Sequence, residues 1–131
     1  MAFPAARPEI PVGELAPALA YYRDCLGFKV TWIDETLGLA ELSQGASRLF
    51  MSSAAYRAAA GRKHGPITSW LNADSREHVD EIYAKWQAAG AILVGPPEPK
   101  PWRLYEFFAR DPDRNVWRVF YDFAWETRGE A

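Results

Sequence analysis

The spacing of hydrophobic residues predicts five elements in the first half of the chain. Leu19, Tyr22 and Leu26 recur at helical intervals and form one apolar stripe, and Gly27 follows as a helix stop. On either side of this helix, apolar and polar residues alternate, as they do in half-buried strands. The predicted elements are a strand over 7–13, a helix over 15–26, and strands over 28–33, 37–42 and 47–52. A long loop or a short helical linker over 53–65 follows them.

The second half of the chain repeats this order. A strand over 67–72 precedes a helix that starts at Asp74 or Ser75, either of which is a suitable N-cap, and that ends near Gly90. The proline-rich segment 95–101 is predicted to be a stiff, extended loop. Residues 111–115 are predicted to form a tight turn, because Pro112 presets one backbone angle. The remaining predicted strands cover 91–94, 102–110 and 116–121.

This repeated pattern predicts an α+β fold with two tandem βαβββ modules. The modules cover about 7–53 and 66–122, within a single domain over 1–131. Each module has one helix, which can cover only one face of its sheet. The two curved mixed sheets are therefore expected to enclose a cleft, with the helices on the outside, and such clefts are good ligand sites. The charged segment 123–131 is too short for an assignment, although Trp125 could dock on the domain.

Composition adds a reason to look for a ligand. Six Trp, six Tyr and seven Phe make up 15% of the 131 residues, more than a core of this size requires, so some rings are expected at a pocket or an interface. A net charge of −2, without a basic tract, argues against nucleic acid. The single Cys25 excludes an intrachain disulfide and a cysteine-cluster metal site. The sequence shows neither a signal peptide nor a long apolar run, so a cytoplasmic protein without a membrane partner is expected.

Two motifs near the ends of the chain resemble those of a known superfamily. The first covers a strand, an acidic residue and a helix over 10–28 and closes with Leu-Gly-Phe. The second is the turn Asp111-Pro112-Asp113-Arg114-Asn115, where glycine is usual at the place of Arg114. Together they resemble the vicinal-oxygen-chelate superfamily, which holds glyoxalase I, fosfomycin-resistance transferases, extradiol dioxygenases and bleomycin-resistance proteins. The resemblance covers about 8–121 and is specific for a fold rather than for one activity.

Within that superfamily, the segments 30–35, 48–52, 82–86 and 100–112 are most similar to bleomycin-resistance proteins. This resemblance implies a homodimer that exchanges its N-terminal strand and holds a drug in clefts at the dimer interface, without changing it. Pro8 and Pro11 fit either an exchanged strand or an edge strand, because each removes a hydrogen-bond donor. The ligand expected from the resemblance is a small aromatic or cationic molecule such as a bleomycin-type drug.

The resemblance also raises the question of a metal. Enzymes of the superfamily bind a divalent cation through His, Glu or Gln on the first, fifth and eighth strands. The matching positions here hold Arg7, Ile67 or Thr68, and Arg118, and a guanidinium cannot ligate a cation. Glu9 would restore one ligand if the register shifted by two residues, but one ligand does not make a site. We therefore expect no metal, no cofactor and no catalytic residue, and we expect both histidines to face solvent.

Without a metal, recognition falls to aromatic rings and a few polar groups. Trp102 is the leading candidate, because the proline-rich segment before it argues against burial in the core. Asp34, in a polar turn near Trp32, either holds a cationic group or is a solvated turn residue. Arg7 and Arg118 instead favour an anionic or carbonyl-bearing group, or pair with Glu9 or Glu106. The predicted ligand-binding residues are Trp32, Asp34, Phe50, Ser52, Trp102, Tyr105, Phe107 and Arg118, and Trp70 and Trp117 are further candidates.

Strand parity alone does not identify the face that lines the cleft. Tyr105 and Phe107 share one face of their strand, and Trp102 and Glu106 share the other. Three functional hypotheses therefore stand beside each other. The first is a metal-free, dimeric protein that sequesters a drug-type molecule. The second is a metal-dependent lyase, epimerase or dioxygenase of the same superfamily, and the third is a stress or regulatory module that binds a metabolite.

Overall fold

The fold was described from a computed structural model, which covers residues 1–124 and 126. Trp125 and residues 127–131 lie outside the described residues, and so does the docking contact considered for Trp125. The chain divides into two compact units, Met1–Ile67 and Thr68–Ala131, called the first and the second unit below. Each unit contains one four-stranded sheet. None of the helices formed by the described residues is long and apolar enough to cross a membrane.

The first unit follows the predicted order, and the segment 53–65 contains a short helix, in line with the helical form of its prediction. Its sheet has the order β1-β4-β3-β2, in which β1 runs parallel to β4 and the other pairs are antiparallel. The edge position of β1 explains why a strand ending in proline is tolerated there. The elements are β1 (Glu9–Pro11), α1 (Leu15–Asp24), β2 (Lys29–Asp34), β3 (Leu39–Gln44), β4 (Ser47–Ser52) and α2 (Ala54–Ala59).

Alternation along β3 and β4 divides the first sheet into a buried face and an open face. Leu42, Leu49 and Met51 are fully buried, together with Ile10 of β1 and Tyr22 of α1. The Tyr22 and Phe28 rings lie 5.8 Å apart in this core. The side chains between these positions point to the opposite side of the sheet, because successive residues of a strand alternate. This open face of the first sheet carries Glu41, Arg48 and Phe50.

The second unit repeats the architecture with a longer helix. Its sheet has the order β5-β8-β7-β6, with β5 parallel to β8 and the other pairs antiparallel. Ser75 is the N-cap of the helix, since its hydroxyl accepts the backbone N–H of His78 at 3.0 Å. The elements are β5 (Thr68–Asn72), α3 (Arg76–Ala88), β6 (Ile92–Pro99), β7 (Leu104–Arg110) and β8 (Val116–Asp122).

The proline-rich segment differs from its prediction as a loop. Most of it belongs to β6, which pairs with β7 on one side only and is therefore an edge strand. Its register shifts between Val94 and Glu98, and Gly95 within this bulge has a φ of 78°. An edge strand with a bulge has backbone positions that need no N–H donor, so prolines fit there. The segment is extended, as predicted, but it is paired.

The predicted start of the next strand is also wrong by two residues. Trp102 lies in the tight turn between β6 and β7, and β7 begins at Leu104. The turn is closed by hydrogen bonds from the backbone N–H of Lys100 to the carbonyl of Leu104 and from that of Arg103 to the carbonyl of Lys100. Arg103 adopts a left-handed φ of 68°. This turn holds the Trp102 indole at the end of the hairpin.

The turn between β7 and β8 is confirmed. Its centre is the buried carboxylate of Asp111, which accepts the backbone N–H groups of Asp113 and Asn115, both at 2.9 Å, and the Asn115 side-chain amide at 2.8 Å. Arg114 has a φ of 69°, the left-handed region in which glycine is favoured. The turn therefore fixes the register of the two strands that carry most of the site described next.

Candidate ligand-binding site

Helix α3 covers one face of the second sheet. The ring of the fully buried Phe107 lies 5.2 Å from that of Tyr83 and 5.7 Å from that of Trp86, both on α3. By alternation, Glu106 and Phe108 point to the other side of β7. Arg118 pairs in register with Phe108 on one side and with Trp70 on the other, so these three side chains form a row across the sheet. This open face of the second sheet carries Trp70, Glu106, Phe108, Arg118 and Phe120.

An ion pair lies at the centre of this open face. The Glu106 carboxylate is fully buried and accepts two hydrogen bonds from Arg118, at 3.1 Å from Nε and 2.6 Å from Nη2. A third donor is the indole Nε1 of Trp102, 2.7 Å from Glu106 Oε1. Such a forked contact fixes the plane of the guanidinium as well as its position. Glu106 therefore holds both Arg118 and Trp102 in place.

Aromatic rings surround the fixed guanidinium. The Arg118 Cζ atom lies 3.8 Å from the Trp70 ring centroid, 4.8 Å from that of Phe108 and 5.8 Å from that of Trp102. Phe120 packs edge-on against Trp70, with ring centroids 5.5 Å apart. Trp70 and Trp102 nevertheless remain 49% and 53% exposed, which is unusual for indoles with this many contacts. Exposed indoles beside an ordered cation form a surface on which a flat molecule can stack.

A depression lies beside this cluster, within the second unit. Its volume is about 300 Å³. Apolar walls come from Val94, Phe108 and Val116, and the polar lining comes from Thr68, Arg110 and Arg118. Arg118 therefore belongs both to the aromatic cluster and to the depression.

The open face of the first sheet carries a related but more exposed arrangement. Glu41 accepts hydrogen bonds from Thr31 Oγ1 at 2.8 Å, from Arg48 Nη2 at 3.0 Å and from Arg7 Nη1. The bond from Thr31, followed by that from Arg48, holds the pKa of the Glu41 carboxyl below its usual value. Trp32 lies opposite Glu41 on β2 and is 44% exposed.

Two of the predicted ligand-binding residues, Tyr105 and Phe107, lie instead on the face of the second sheet that α3 covers. Phe107 packs under α3 as described, and the Tyr105 hydroxyl donates to Asp80 of α3 at 2.7 Å. Burial and then this hydrogen bond raise the pKa of Tyr105 to about 12. The physical reason is the alternation of β7, which places residues 105 and 107 together on the face that α3 covers.

Two polar candidates of the first unit have structural partners. The Asp34 carboxylate accepts the backbone N–H of Leu37 at 3.0 Å and so closes the β2–β3 turn, in line with the alternative of a turn residue. Ser52 is fully buried, and both its carbonyl and its hydroxyl accept from Arg57 Nη1. Phe50 lies on the open face of the first sheet, where the Arg7 guanidinium is 5.7 Å from its ring centroid.

The structure brings Trp102 and Arg118 together through Glu106. The pairing of Arg118 with Glu106, one of the alternatives expected for this arginine, is present. The hydrogen bond from the Trp102 indole to the same carboxylate was not expected from the sequence. The sequence indicated Trp70 only as a further candidate. Of the three aromatic rings around the Arg118 guanidinium, that of Trp70 lies nearest.

The donor set does not fit a divalent metal. Arg118, at the eighth-strand position, is paired with Glu106, and Arg7 is paired with Glu41. Glu9 binds Arg62 at 3.0 Å; although burial opposes its ionisation, hydrogen bonds from Ser52 and Arg62 outweigh it and lower the pKa of Glu9. Within residues 1–124 and 126, no three His, Cys, Asp or Glu side chains form a group that could hold an ion.

Comparison with known proteins places this geometry in a family. The chain matches the family model of the Glyoxalase/Bleomycin resistance protein/Dioxygenase superfamily over residues 5–119. A sequence comparison with curated proteins finds no match. Among solved structures, a glyoxalase/bleomycin resistance protein/dioxygenase from Nocardioides has a TM-score of 0.76 at 18% identity, covering 92% of this chain and 85% of that one.

Two further structures of this fold carry more specific names. TioX from Micromonospora sp. ML1 has a TM-score of 0.74 at 20% identity, with 91% of this chain and 99% of that chain covered. Lactoylglutathione lyase from Agrobacterium tumefaciens has a TM-score of 0.73 at 22% identity, with coverages of 93% and 97%. At these identities the likeness extends to the fold alone. With the family model matching most of its length, the chain belongs to the glyoxalase/bleomycin resistance protein/dioxygenase superfamily.

Proposed function

We propose that this protein binds a small aromatic molecule on the open face of the second sheet and sequesters it without chemical change. The observation that carries the proposal is the pair of half-exposed indoles, Trp70 and Trp102, whose ring centroids lie 3.8 Å and 5.8 Å from the Arg118 Cζ atom. An aromatic ligand gains about 0.5–1.5 kcal/mol from each well-placed ring contact, in addition to the burial of its apolar area. The fixed guanidinium adds a hydrogen-bond donor at a defined position.

The ion pair at the centre of this surface argues for binding without chemical change. Arg118 and Glu106 neutralise each other, and the buried Glu106 carboxylate accepts three hydrogen bonds. Neither side chain is therefore placed to exchange a proton with a ligand. The donor set also fails to supply a metal centre. A surface with stacking rings and an immobile cation supports binding rather than turnover. Sequestration at a homodimer interface, with a bleomycin-type drug as ligand, is the narrower form of the same proposal.

Calorimetric titration tests the binding surface. The probe is 2-naphthamide, a flat neutral molecule. Trp70→Ala and Trp102→Ala should each weaken its binding about tenfold or more, because each removes a stacking ring. Leu37→Ala removes an exposed apolar side chain from the β2–β3 turn of the first unit and should leave the affinity unchanged. Equal affinities for all four proteins would refute the proposed surface.

Recovery of the ligand tests sequestration. After long incubation with the protein, 2-naphthamide and bleomycin should be recovered unchanged by mass spectrometry, in amounts equal to those added. A stoichiometric complex that survives gel filtration is expected for any ligand that the protein sequesters. A product that accumulates over many turnovers would instead support an enzyme, such as the lyase that one structural relative is named for.

A further inference from the structure

The residue after Trp102 holds the same turn through a contact of its own. Arg103 adopts a left-handed φ of 68°, a conformation that is costly for a residue with a Cβ atom. Such a conformation persists only where the surrounding structure holds it in place. The Arg103 Cζ atom lies 5.4 Å from the ring centroid of Phe123, within the range of a cation–π contact. The turn is therefore anchored through its arginine to the residue that follows β8.

A second arginine fixes the ring of Phe123. The Cζ atom of Arg76, the first residue of α3, lies 4.8 Å from the same ring centroid. Arg76 is itself held by a forked ion pair, in which Nε and Nη2 donate to the two carboxylate oxygens of Glu126 at 3.0 Å and 3.3 Å. Arg76, Arg103 and Phe123, called the Phe123 cluster below, thus join the turn to the start of α3.

The Phe123 cluster lies on the side of the sheet that α3 covers. The Arg76 Cζ atom is also 5.3 Å from the ring centroid of Tyr105, whose hydroxyl donates to α3. Trp102, by contrast, donates its indole N–H to Glu106 on the open face. The turn is therefore held by contacts on both sides of the sheet, and those of the Phe123 cluster lie away from the proposed binding surface.

We propose that Phe123 and Arg103 are positioning residues, which hold the Trp102 indole where it can stack on a ligand and do not touch the ligand themselves. The inference rests on the proposed function, because Trp102 supplies one of its two indoles. Apparent affinity falls in proportion to the fraction of molecules in which a binding group is in place. Loss of the Phe123 cluster frees the turn and should lower that fraction for the Trp102 indole.

Calorimetric titration of the full-length protein with 2-naphthamide tests this role. Phe123→Leu keeps an apolar side chain but removes the ring, and it should weaken binding about fivefold through the loss of two cation–π contacts. Phe123→Tyr keeps the ring and should bind the probe as the wild type does. Arg103→Met removes one of the two cations and should weaken binding about twofold.

A double-mutant cycle separates positioning from a general effect on the structure. If Phe123 acts through Trp102, Phe123→Leu should cause no further loss of affinity in a protein that already carries Trp102→Ala. Arg103→Met takes its place in the cycle if Phe123→Leu does not fold. Tyr56→Leu is the matched control, because it removes a ring whose centroid lies 5.5 Å from the Cζ atom of Arg62 in the first unit. It should leave the affinity unchanged.

The outcomes separate the two proposals. The positioning role would be overturned by an unchanged affinity in both Phe123→Leu and Arg103→Met, or by equal losses with and without the Trp102 indole. If Trp70→Ala and Trp102→Ala still weakened binding in that case, the proposed binding surface would stand. If neither indole variant weakened binding, or if the wild-type protein did not bind the probe, both proposals would be refuted.

Discussion

The guanidinium of Arg118 and the carboxylate of Glu106 form a forked ion pair that reappears, in altered form, in the first unit. Glu106 lies opposite Phe120, two residues beyond Arg118 on β8. The second unit therefore carries an Arg-x-Phe sequence on its last strand and a glutamate opposite the phenylalanine. This glutamate is fully buried.

The first unit has the same arrangement at the equivalent positions. Glu41 lies opposite Phe50, and Arg48 precedes that phenylalanine by two residues on β4. Arg48 Nη2 and Glu41 Oε1 are 3.0 Å apart, but the Arg48 side chain is 50% exposed, compared with 21% for Arg118. The repeat thus preserves a charge pair, and the copy in the second unit has two indole rings, those of Trp70 and Trp102, within 6 Å of its guanidinium carbon.

Removal of Arg118 should destabilise the protein far more than removal of its counterpart. Arg118→Met leaves the buried Glu106 carboxylate without its ion-pair partner, and we expect a loss of roughly 3–5 kcal/mol in the free energy of unfolding. Arg48→Met, the matched change in the first unit, should cost much less, because the Arg48 side chain is 50% exposed and Glu41 keeps two other donors. Urea denaturation measures both values.

The double variant Glu106→Leu with Arg118→Met provides the control for this comparison. It removes both charges and should recover most of the stability lost in the single variant. A single variant as stable as the wild type would show that Glu106 is solvated rather than buried.

The indole of Trp102 should contribute to stability through its N–H group, despite its exposure. Trp102→Phe keeps an aromatic ring but removes the donor to the Glu106 carboxylate, and a hydrogen bond to a charged group contributes about 1.5–3 kcal/mol. We expect a loss near the lower end of that range in urea denaturation. Trp32→Phe, at a similarly exposed indole, should be nearly neutral. Identical losses for the two variants would argue against the hydrogen bond.

Tyr105 should produce a stability change at alkaline pH. Its pKa in the folded protein, about 12, lies above the unfolded value of 10.0, so its contribution is fully present below pH 10 and is lost as pH rises towards 12. The free energy of unfolding of the wild type, measured relative to Tyr105→Phe, should therefore fall across this window. Urea unfolding of both proteins at several pH values between 9 and 12 gives the difference. A difference that stays constant would contradict the raised pKa.

The left-handed residue of the β7–β8 turn offers a stabilising change. Arg114 has a φ of 69°, which costs a residue with a Cβ atom about 1 kcal/mol or more, whereas glycine adopts it freely. Arg114→Gly should raise the free energy of unfolding by about 0.5–1 kcal/mol, after the extra entropy of glycine in the unfolded chain is subtracted. Arg114→Ala removes the same charge but keeps a Cβ atom, so it should give no gain. A gain of equal size in both variants would point to the charge instead.

Local patterns were sufficient to predict the order of elements. The helical stripe of Leu19, Tyr22 and Leu26 and the alternation in β3, β4, β7 and β8 depend on residues close in sequence, and the structure confirms those elements. The strand predicted over 91–94 is confirmed as the start of β6, but its continuation to Pro99 was missed because a proline-rich composition argues against a strand. Whether its prolines are tolerated depends on its edge position and its bulge, and both are properties of the whole sheet.

The site was harder to predict because alternation does not distinguish the two faces of a strand. Tyr105 and Phe107 were expected to contact a ligand, and only the packing of α3 on Phe107 shows that this face is covered. The pairing of Glu106 with Arg118 was one of the alternatives expected from the sequence, and the predicted turn at 111–115 fixes the hairpin register that allows it. The contact of Trp70 with Arg118 was not expected, because it depends on the parallel pairing of β5 with β8, which are far apart in sequence.

The most direct test of the central claim is a ¹H–¹⁵N spectrum of the indole N–H groups during titration with 2-naphthamide. Single Trp→Phe variants assign the signals. The proposed surface predicts that the signals of Trp70 and Trp102 shift as the probe binds, whereas those of the buried Trp86 and Trp117 stay in place. Saturable binding by calorimetry without a shift at Trp70 or Trp102 would contradict the account.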